Sequence, residues 1–487
     1  MAARDTLRAS VPEDEHATDL IHPSADMIAT PLQRRLVDVL RHLHEEDHVV
    51  GLQVCVMKEG KEIANVAAGI IGNANPRPIT PATLFNIFSI SKGVLTIGLL
   101  RLVQDGLIED LDDPVYKYWP EFVSKPNITV RHLLTHQAGL ANVYPEDATI
   151  DTLLDWGTMT NFMANEAAPS HDPGAETQYH VLSYAWLVGG LIEAVTKRPY
   201  EEWLDKVLPY NSQEFPGEES TRRSLFLAGI SQDVDDHKDL AVLSMARRST
   251  ERAKEHQEIS TTQGQDQESP DRPISAEKQA KKIDKDEADD DEEERSKKAK
   301  KVLDKYRGLQ QLMNPSIFNM RKVREAKLPS ANGHASAASL AEIFDAVIRS
   351  GKHGDPLLSP EILKLARTPS RASAPEEGNA NTKQAMLDDA QAKFGLGFQL
   401  HEIVLSNGDK GISIGHAGLG GSVVLAVPEE EVVVALTLSH LSPDSVARKR
   451  ILGVVFDELG WKAPASLQME TLPSTSLSEE KTLQPVA

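Results

Sequence analysis

The stretch Leu84-Phe-Asn-Ile-Phe-Ser-Ile-Ser-Lys-Gly93 decides the reading of this chain. Ser89 and Lys92 stand three residues apart at the head of an apolar helical pattern. Three residues make nearly one helical turn, so hydroxyl and amine share a face and reach each other. A serine is a poor nucleophile until a neighbour takes its proton. A lysine takes it only when neutral. Its ordinary pKa is about 10.4, so work near pH 7 asks for about 4 kcal/mol in favour of the uncharged form. Burial and a nearby positive charge are the two sources.

Serine and lysine are common, and the plain reading of the pair alone is a helix start with an exposed lysine. The flanks argue for more. Ile87, Phe88 and Ile90 are apolar, and Val94, Leu95, Ile97, Leu99, Leu100 and Val103 recur at helical spacing before a stop at Gly106. The opening turn of such a core helix excludes a lysine unless it has work or a partner.

The segments that follow carry a family resemblance. Phe88 to Gly93, Leu102-Val-Gln-Asp-Gly-Leu-Ile108, Leu111-Asp-Asp-Pro-Val115 and Ile128-Thr-Val-Arg-His-Leu-Leu-Thr-His-Gln-Ala-Gly-Leu140 resemble the serine β-lactamase/penicillin-binding superfamily. Within it, the chain is most similar to the class C-like esterase branch. Pro173-Gly174 with Gln178-Tyr-His-Val-Leu-Ser-Tyr-Ala-Trp-Leu-Val-Gly-Gly190 resembles the second motif of that branch, and Gly415-His-Ala-Gly-Leu-Gly-Gly421 the third. Asn314-Pro315 to Asn319 and Leu328-Pro-Ser-Ala-Asn-Gly-His334 resemble a stretch of its esterase-like members. The segments run in the family's order over most of residues 31 to 460.

The resemblance implies an acyl-transfer constellation. Ser89 is the nucleophile and Lys92 the candidate base. Tyr179 corresponds to the tyrosine of the family's Tyr-x-Asn motif and would act as base or acid; a buried aromatic is the alternative. His416 and Gly418 stand at the family's Lys-Thr-Gly strand. The N–H groups of Leu419 and Ser89 would form the oxyanion hole, and His416 would orient Tyr179 and assist its ionisation. A structural histidine is the alternative there. Two departures bear on substrate. Val181 stands where many lactam-binding relatives have Asn, and His416 where they have Lys. Those groups commonly hold an anionic, peptide-like substrate, so an uncharged carboxylic ester is the expected one. The enzyme alternative is a β-lactamase or D-aminopeptidase-like amidase. The non-enzyme alternative is a catalytically silent scaffold.

The pattern of elements gives an α/β (α+β) fold. Pro31 to about Glu45 reads as an amphipathic helix, and Gly51–Met57 with Ile63–Ala68 as a hairpin about Lys58-Glu-Gly-Lys61. Gly411–Ile414, Ser422–Val427 and Val432–Leu438 read as three further strands, the last two joined at Pro428-Glu-Glu-Glu431, and Ser442–Leu459 as a closing helix. The expectation is a five-stranded antiparallel sheet flanked by helices. A mainly helical lobe from about 80 to 380 stands beside it, with the active site between the lobes. As domains, residues 1–30 read as a polar arm, 31–465 as the catalytic domain and 466–487 as a polar tail. Residues 247–301 interrupt the domain as a charged insertion. More than half of Glu251–Lys300 is charged, too few apolar residues to offset the entropy of ordering, so disorder is expected.

The net charge of −21 over 487 residues argues against nucleic-acid binding. The expected partner is a small-molecule ester, with no membrane span and oligomeric state open. The single cysteine, Cys55, forms no internal disulfide and reads as a small core residue of a strand. No signal-like apolar run opens the chain, which makes the cytoplasm the expectation, and the sequon Asn127-Ile-Thr129 is then never glycosylated. Arg295-Ser-Lys-Lys-Ala-Lys-Lys301 reads as a solvated charge run rather than a nuclear signal.

No metal or organic cofactor is expected. His132 and His136 have a metal-like spacing, but Leu133, Leu134 and Thr135 between them supply no acid. Gly415, Gly418, Gly420 and Gly421 lack the Gly-Lys-Ser/Thr of a phosphate loop. For His334 the sequence leaves open whether it lines the cleft or caps a helix.

Overall fold

The computed structural model describes residues 21–23, 30–46, 48–146, 148–209, 225–230, 239–245, 312, 314–370, 393–442 and 445–462. The insertion read at 247–301 and the tail at 466–487 lie outside the described residues.

Among the described residues the main sheet has nine strands, all antiparallel. In spatial order they are Ile21–Pro23, Lys61–Gly72, Gly51–Lys58, Val432–Leu438, Val423–Val427, Lys410–Ala417, Gln399–Val404 and Lys393–Phe394. Asn75–Pro78 pairs back onto Lys61–Gly72. The N-terminal hairpin therefore meets the C-terminal strands at the pair Gly51–Lys58 and Val432–Leu438, with Cys55 opposite Ala435. The five expected strands are present. The sheet is wider than the sequence indicated, chiefly because Gln399–Val404 extends it beyond Lys410–Ala417.

Both faces of the sheet are covered, so its central strands read as continuous apolar runs. Val54, Val56, Val432, Val434 and Leu436 pack with Leu36, Leu40 and Leu43 of the Pro31–Glu45 helix and with Ile451, Leu452 and Val455 of the Val446–Leu459 helix. The alternating residues Cys55, Met57, Val433 and Ala435 face the larger core of the helical lobe. Thr30 starts the first helix as a side-chain cap, accepting from the N–H of Gln33, and Pro31 follows where its missing N–H is harmless. Cys55 is buried against Glu62, and burial pushes its thiol up from its ordinary value, so it is an inert core residue.

The Ile90–Gln104 helix runs through the centre of the large core, buried on every side from Ile90 to Leu100. Asp105 caps it and Gly106 turns away at φ 71°, a conformation that glycine adopts without steric cost. A second small sheet, in which Phe85–Asn86 and Leu225–Phe226 both pair with His334–Ala335, fixes the chain just before that helix. His334 is thus a buried member of this sheet, with its Nδ1 on the carbonyl of Asn332.

Candidate active site

Ser89 stands at the N-cap of the central helix with helical dihedrals, and its side chain makes no capping bond there. Its Oγ is left to Lys92. The chain reaches it through Phe88 at φ 44°, a left-handed conformation that costs roughly 1–3 kcal/mol for a bulky residue. Asn86 offsets this by accepting the N–H of Phe88 on Oδ1 at 2.9 Å. Phe318 closes the edge of the Phe88 ring at 5.3 Å.

Lys92 has no exposed surface. Its Nζ donates to Ser89 Oγ at 3.0 Å and to the carbonyl of Ser330 at 2.9 Å. Burial alone drives its pKa well below the ordinary lysine value. Among the described residues no carboxylate opposes that effect, and its direction favours the uncharged amine. Of the two sources anticipated, desolvation is the one at work.

Ser330 was not legible as a site residue, because what it offers Lys92 is a backbone carbonyl. Its Oγ donates to the carbonyl of Leu182 at 3.0 Å and accepts the N–H of Ala185 at 2.7 Å. One residue therefore links the lysine to the segment carrying Tyr179. That segment runs on into a π-helical turn, Ala185–Gly189, a form frequent at functional sites. Tyr184 then bonds Thr96 on the lysine's helix at 2.6 Å.

Tyr179 lies beside the amine: Lys92 Nζ is 4.9 Å from the centre of its ring. Phe394 stacks on the tyrosine at 5.7 Å and 25°. His416, on the Lys410–Ala417 strand, places Nε2 3.5 Å from the tyrosine hydroxyl. His416 Nδ1 donates to the carbonyl of Ala417 at 2.8 Å, so in the neutral ring Nε2 is the acceptor and the phenol donates to it. Burial above all lowers the His416 pKa to about 3.

The end of that strand closes on the serine. A Cβ at Gly418 would stand 2.7 Å from the carbonyl oxygen of Ile87, so only glycine allows the approach. Gly418 donates its N–H to Ser422 at 2.7 Å, and Leu419 opens the short turn Leu419–Gly421. The N–H of Ser89 stands at the start of the central helix, where no carbonyl one turn back takes it, and Leu419 opens a short turn bent at Gly420, φ 82°.

The structure thus brings together Ser89, Lys92, Tyr179, His416 and the Gly418–Leu419 turn. The two histidines with metal-like spacing have other places. His132 joins a capping box with Thr129, and His136 packs on Tyr179. Among the described residues no group of three or more His, Cys, Asp or Glu side chains is placed to hold a metal. No helix among them is long and apolar enough to cross a membrane.

Set beside known proteins, the chain matches the Beta-lactamase family over residues 36–455. It belongs to that family. Esterase/beta-lactamase LipL of Mycobacterium tuberculosis (strain ATCC 25618 / H37Rv) is 25% identical over 406 residues, 80% of this chain and 77% of that protein. Esterase EstB of Burkholderia gladioli is 30% identical over 197 residues, 37% of this chain and 50% of that protein. A family VIII carboxylesterase structure superposes with a TM-score of 0.65 at 18% identity, over 90% of this chain and 99% of that one. A penicillin-binding protein homologue from Caulobacter crescentus superposes at 0.61 and 21% identity, over 89% and 98%. These two likenesses establish the fold. This Beta-lactamase family member is a serine hydrolase of that fold.

Proposed function

We propose that this protein cleaves a carboxylic ester through an acyl-Ser89 intermediate. One observation carries the reading: an amine with no exposed surface stands 3.0 Å from the hydroxyl of Ser89. In this mechanism neutral Lys92 takes the hydroxyl proton as Ser89 Oγ bonds to the acyl carbon. The N–H groups of Ser89 and Leu419 receive the oxyanion. Tyr179 gives its phenol proton to the departing alkoxide as the acyl–oxygen bond breaks. The proton held on Lys92 then restores the phenol. A water deacylates Ser89 by the reverse path and releases the acid. His416 holds the phenol through Nε2 and stays neutral. No step uses a metal or organic cofactor.

The ester preference rests on Val181 and His416, which replace the polar groups expected for an anionic lactam. It is also supported by the relatives named esterase and by the carboxylesterase-like fold. The name of the first relative covers a β-lactamase as well, so the test compares both substrates. Wild-type protein is expected to take a fluorophosphonate label that Ser89→Ala abolishes, and to hydrolyse p-nitrophenyl acetate far faster than nitrocefin. Faster nitrocefin turnover would move the assignment to a β-lactamase. Well-folded protein that takes no label would make the chain a scaffold. Residues 31–465 are proposed as the catalytic domain, with the cytoplasm as its place of action.

A further inference from the structure

We propose that His136 is a second positioning residue for Tyr179, acting on its loop and ring while His416 meets its hydroxyl; the inference rests on the reading of Tyr179 as a proton carrier. His136 follows the short helix Val130–Leu134 and is fully buried, at φ 61°. Histidine is among the few non-glycine residues that tolerate this left-handed region. From there it holds both neighbours of Tyr179. Its carbonyl accepts the N–H of Gln178 at 2.9 Å, and its ring Nδ1 accepts the N–H of His180 at 3.2 Å. An amide hydrogen on Nδ1 fixes the tautomer, with the ring proton on Nε2. The same ring packs on Tyr179 with centroids 4.8 Å apart, and Phe394 packs against both, at 4.8 Å and 5.7 Å.

The next residue continues the grip. The carbonyl of Gln137 accepts the N–H of Gly174 at 2.9 Å, and its Nε2 donates to Thr177 Oγ1 at 3.1 Å. The tyrosine loop thus hangs from residues 136 and 137, and His136 is the one that both brackets residue 179 and touches its ring. Burial keeps the imidazole neutral beside Lys92. Its part is to aim the phenol at His416 and at the leaving group, and the protons pass elsewhere.

The test separates aim from stability by the leaving group. A p-nitrophenolate departs unprotonated at neutral pH, whereas an alkoxide needs the proton from Tyr179. We compare His136→Ala, His136→Gln and His136→Asn on p-nitrophenyl and alkyl esters of one acid. His136→Ala and His136→Gln should lose about 10- to 100-fold more kcat/KM, which reports acylation and so the leaving group, on the alkyl ester than on the aryl ester. His136→Asn puts Oδ1 where Nδ1 was and tolerates the same backbone, so it should recover most of that loss. His136→Ala combined with Tyr179→Phe should be no slower than Tyr179→Phe alone.

Equal losses of kcat/KM on both esters, or losses that multiply in the double variant, would overturn the proposal. If His136→Ala does not fold, the Gln and Asn variants decide, each with its thermal unfolding recorded. Tyr179→Phe alone reads the underlying assignment: full alkyl-ester activity in it overturns the proton role. A normal loss in Tyr179→Phe with wild-type behaviour in His136→Gln overturns only the role of His136.

Discussion

Gly418 approaches Ile87 so closely that a methyl group on it would lie 2.7 Å from the Ile87 carbonyl oxygen. This contact sets the strand end that carries Leu419 against the turn that carries Ser89. Gly418→Ala must push the two apart. Loss of one oxyanion donor typically costs about 100- to 1000-fold in rate, and Gly418→Ala is expected to lose that much kcat on p-nitrophenyl acetate. Wild-type kcat in a folded Gly418→Ala protein would remove the Leu419 N–H from the proposed cradle.

Lys92 links activity to stability with a definite sign. Its folded pKa lies well below the ordinary 10.5. Between the two values the unfolded chain binds the extra proton, so stability rises with pH across that interval and falls as pH drops through it. Lys92→Met removes the titrating group. The variant should lose about 10²- to 10⁴-fold in activity. Its stability relative to wild type should be greatest at low pH and decline toward pH 10.5, less about 1 kcal/mol for the lost bond to Ser330. Urea unfolding at several pH values checks this; a difference that does not change with pH would mean that Lys92 keeps its proton when folded.

His416 should contribute no step near pH 6.5. Its value of about 3 leaves Nε2 an acceptor throughout an ordinary assay range. His416→Ala is expected to slow turnover by misplacing Tyr179 while leaving the acidic limb of kcat/KM where it was. A limb near pH 6.5 that disappears in the variant would show a titrating histidine instead.

Much of the grouping at this candidate site was legible in the sequence, for physical reasons. Ser89 and Lys92 are joined by helical spacing, and an apolar helix around a lysine signals burial directly. Val432–Leu438 reads as a strand because both of its faces are covered. Gln399–Val404 was missed because His401 and Glu402 interrupt the apolar pattern, although Leu400 and Ile403 are buried. Ser330 was missed because its carbonyl is identical in every residue type. His136 read only as half of a metal-like spacing that lacked an acid, since its left-handed backbone and its hold on both sides of Tyr179 arise from contacts that spacing does not encode.

The charged segment is expected to be dispensable for chemistry. Leu243, before it, and Asn319, after it, are tied by two hydrogen bonds of 2.9 Å between the asparagine amide and the leucine backbone. Ser244–Met245 also pairs with His440–Leu441. Deletion of 250–298 should therefore leave ester hydrolysis within about threefold of wild type, since long surface insertions are thermodynamically cheap. Insoluble protein or lost activity would show the segment to be structural.

The most direct measurement is the pH dependence of kcat/KM for p-nitrophenyl acetate, with Ser89→Ala as the control. A buried, neutral Lys92 predicts a plateau reached well below pH 10.5, and a fall of about 10³-fold or more in Ser89→Ala with little change in thermal unfolding. A rate that climbs about tenfold per pH unit up to the ordinary lysine value, or undiminished turnover by Ser89→Ala, would contradict it.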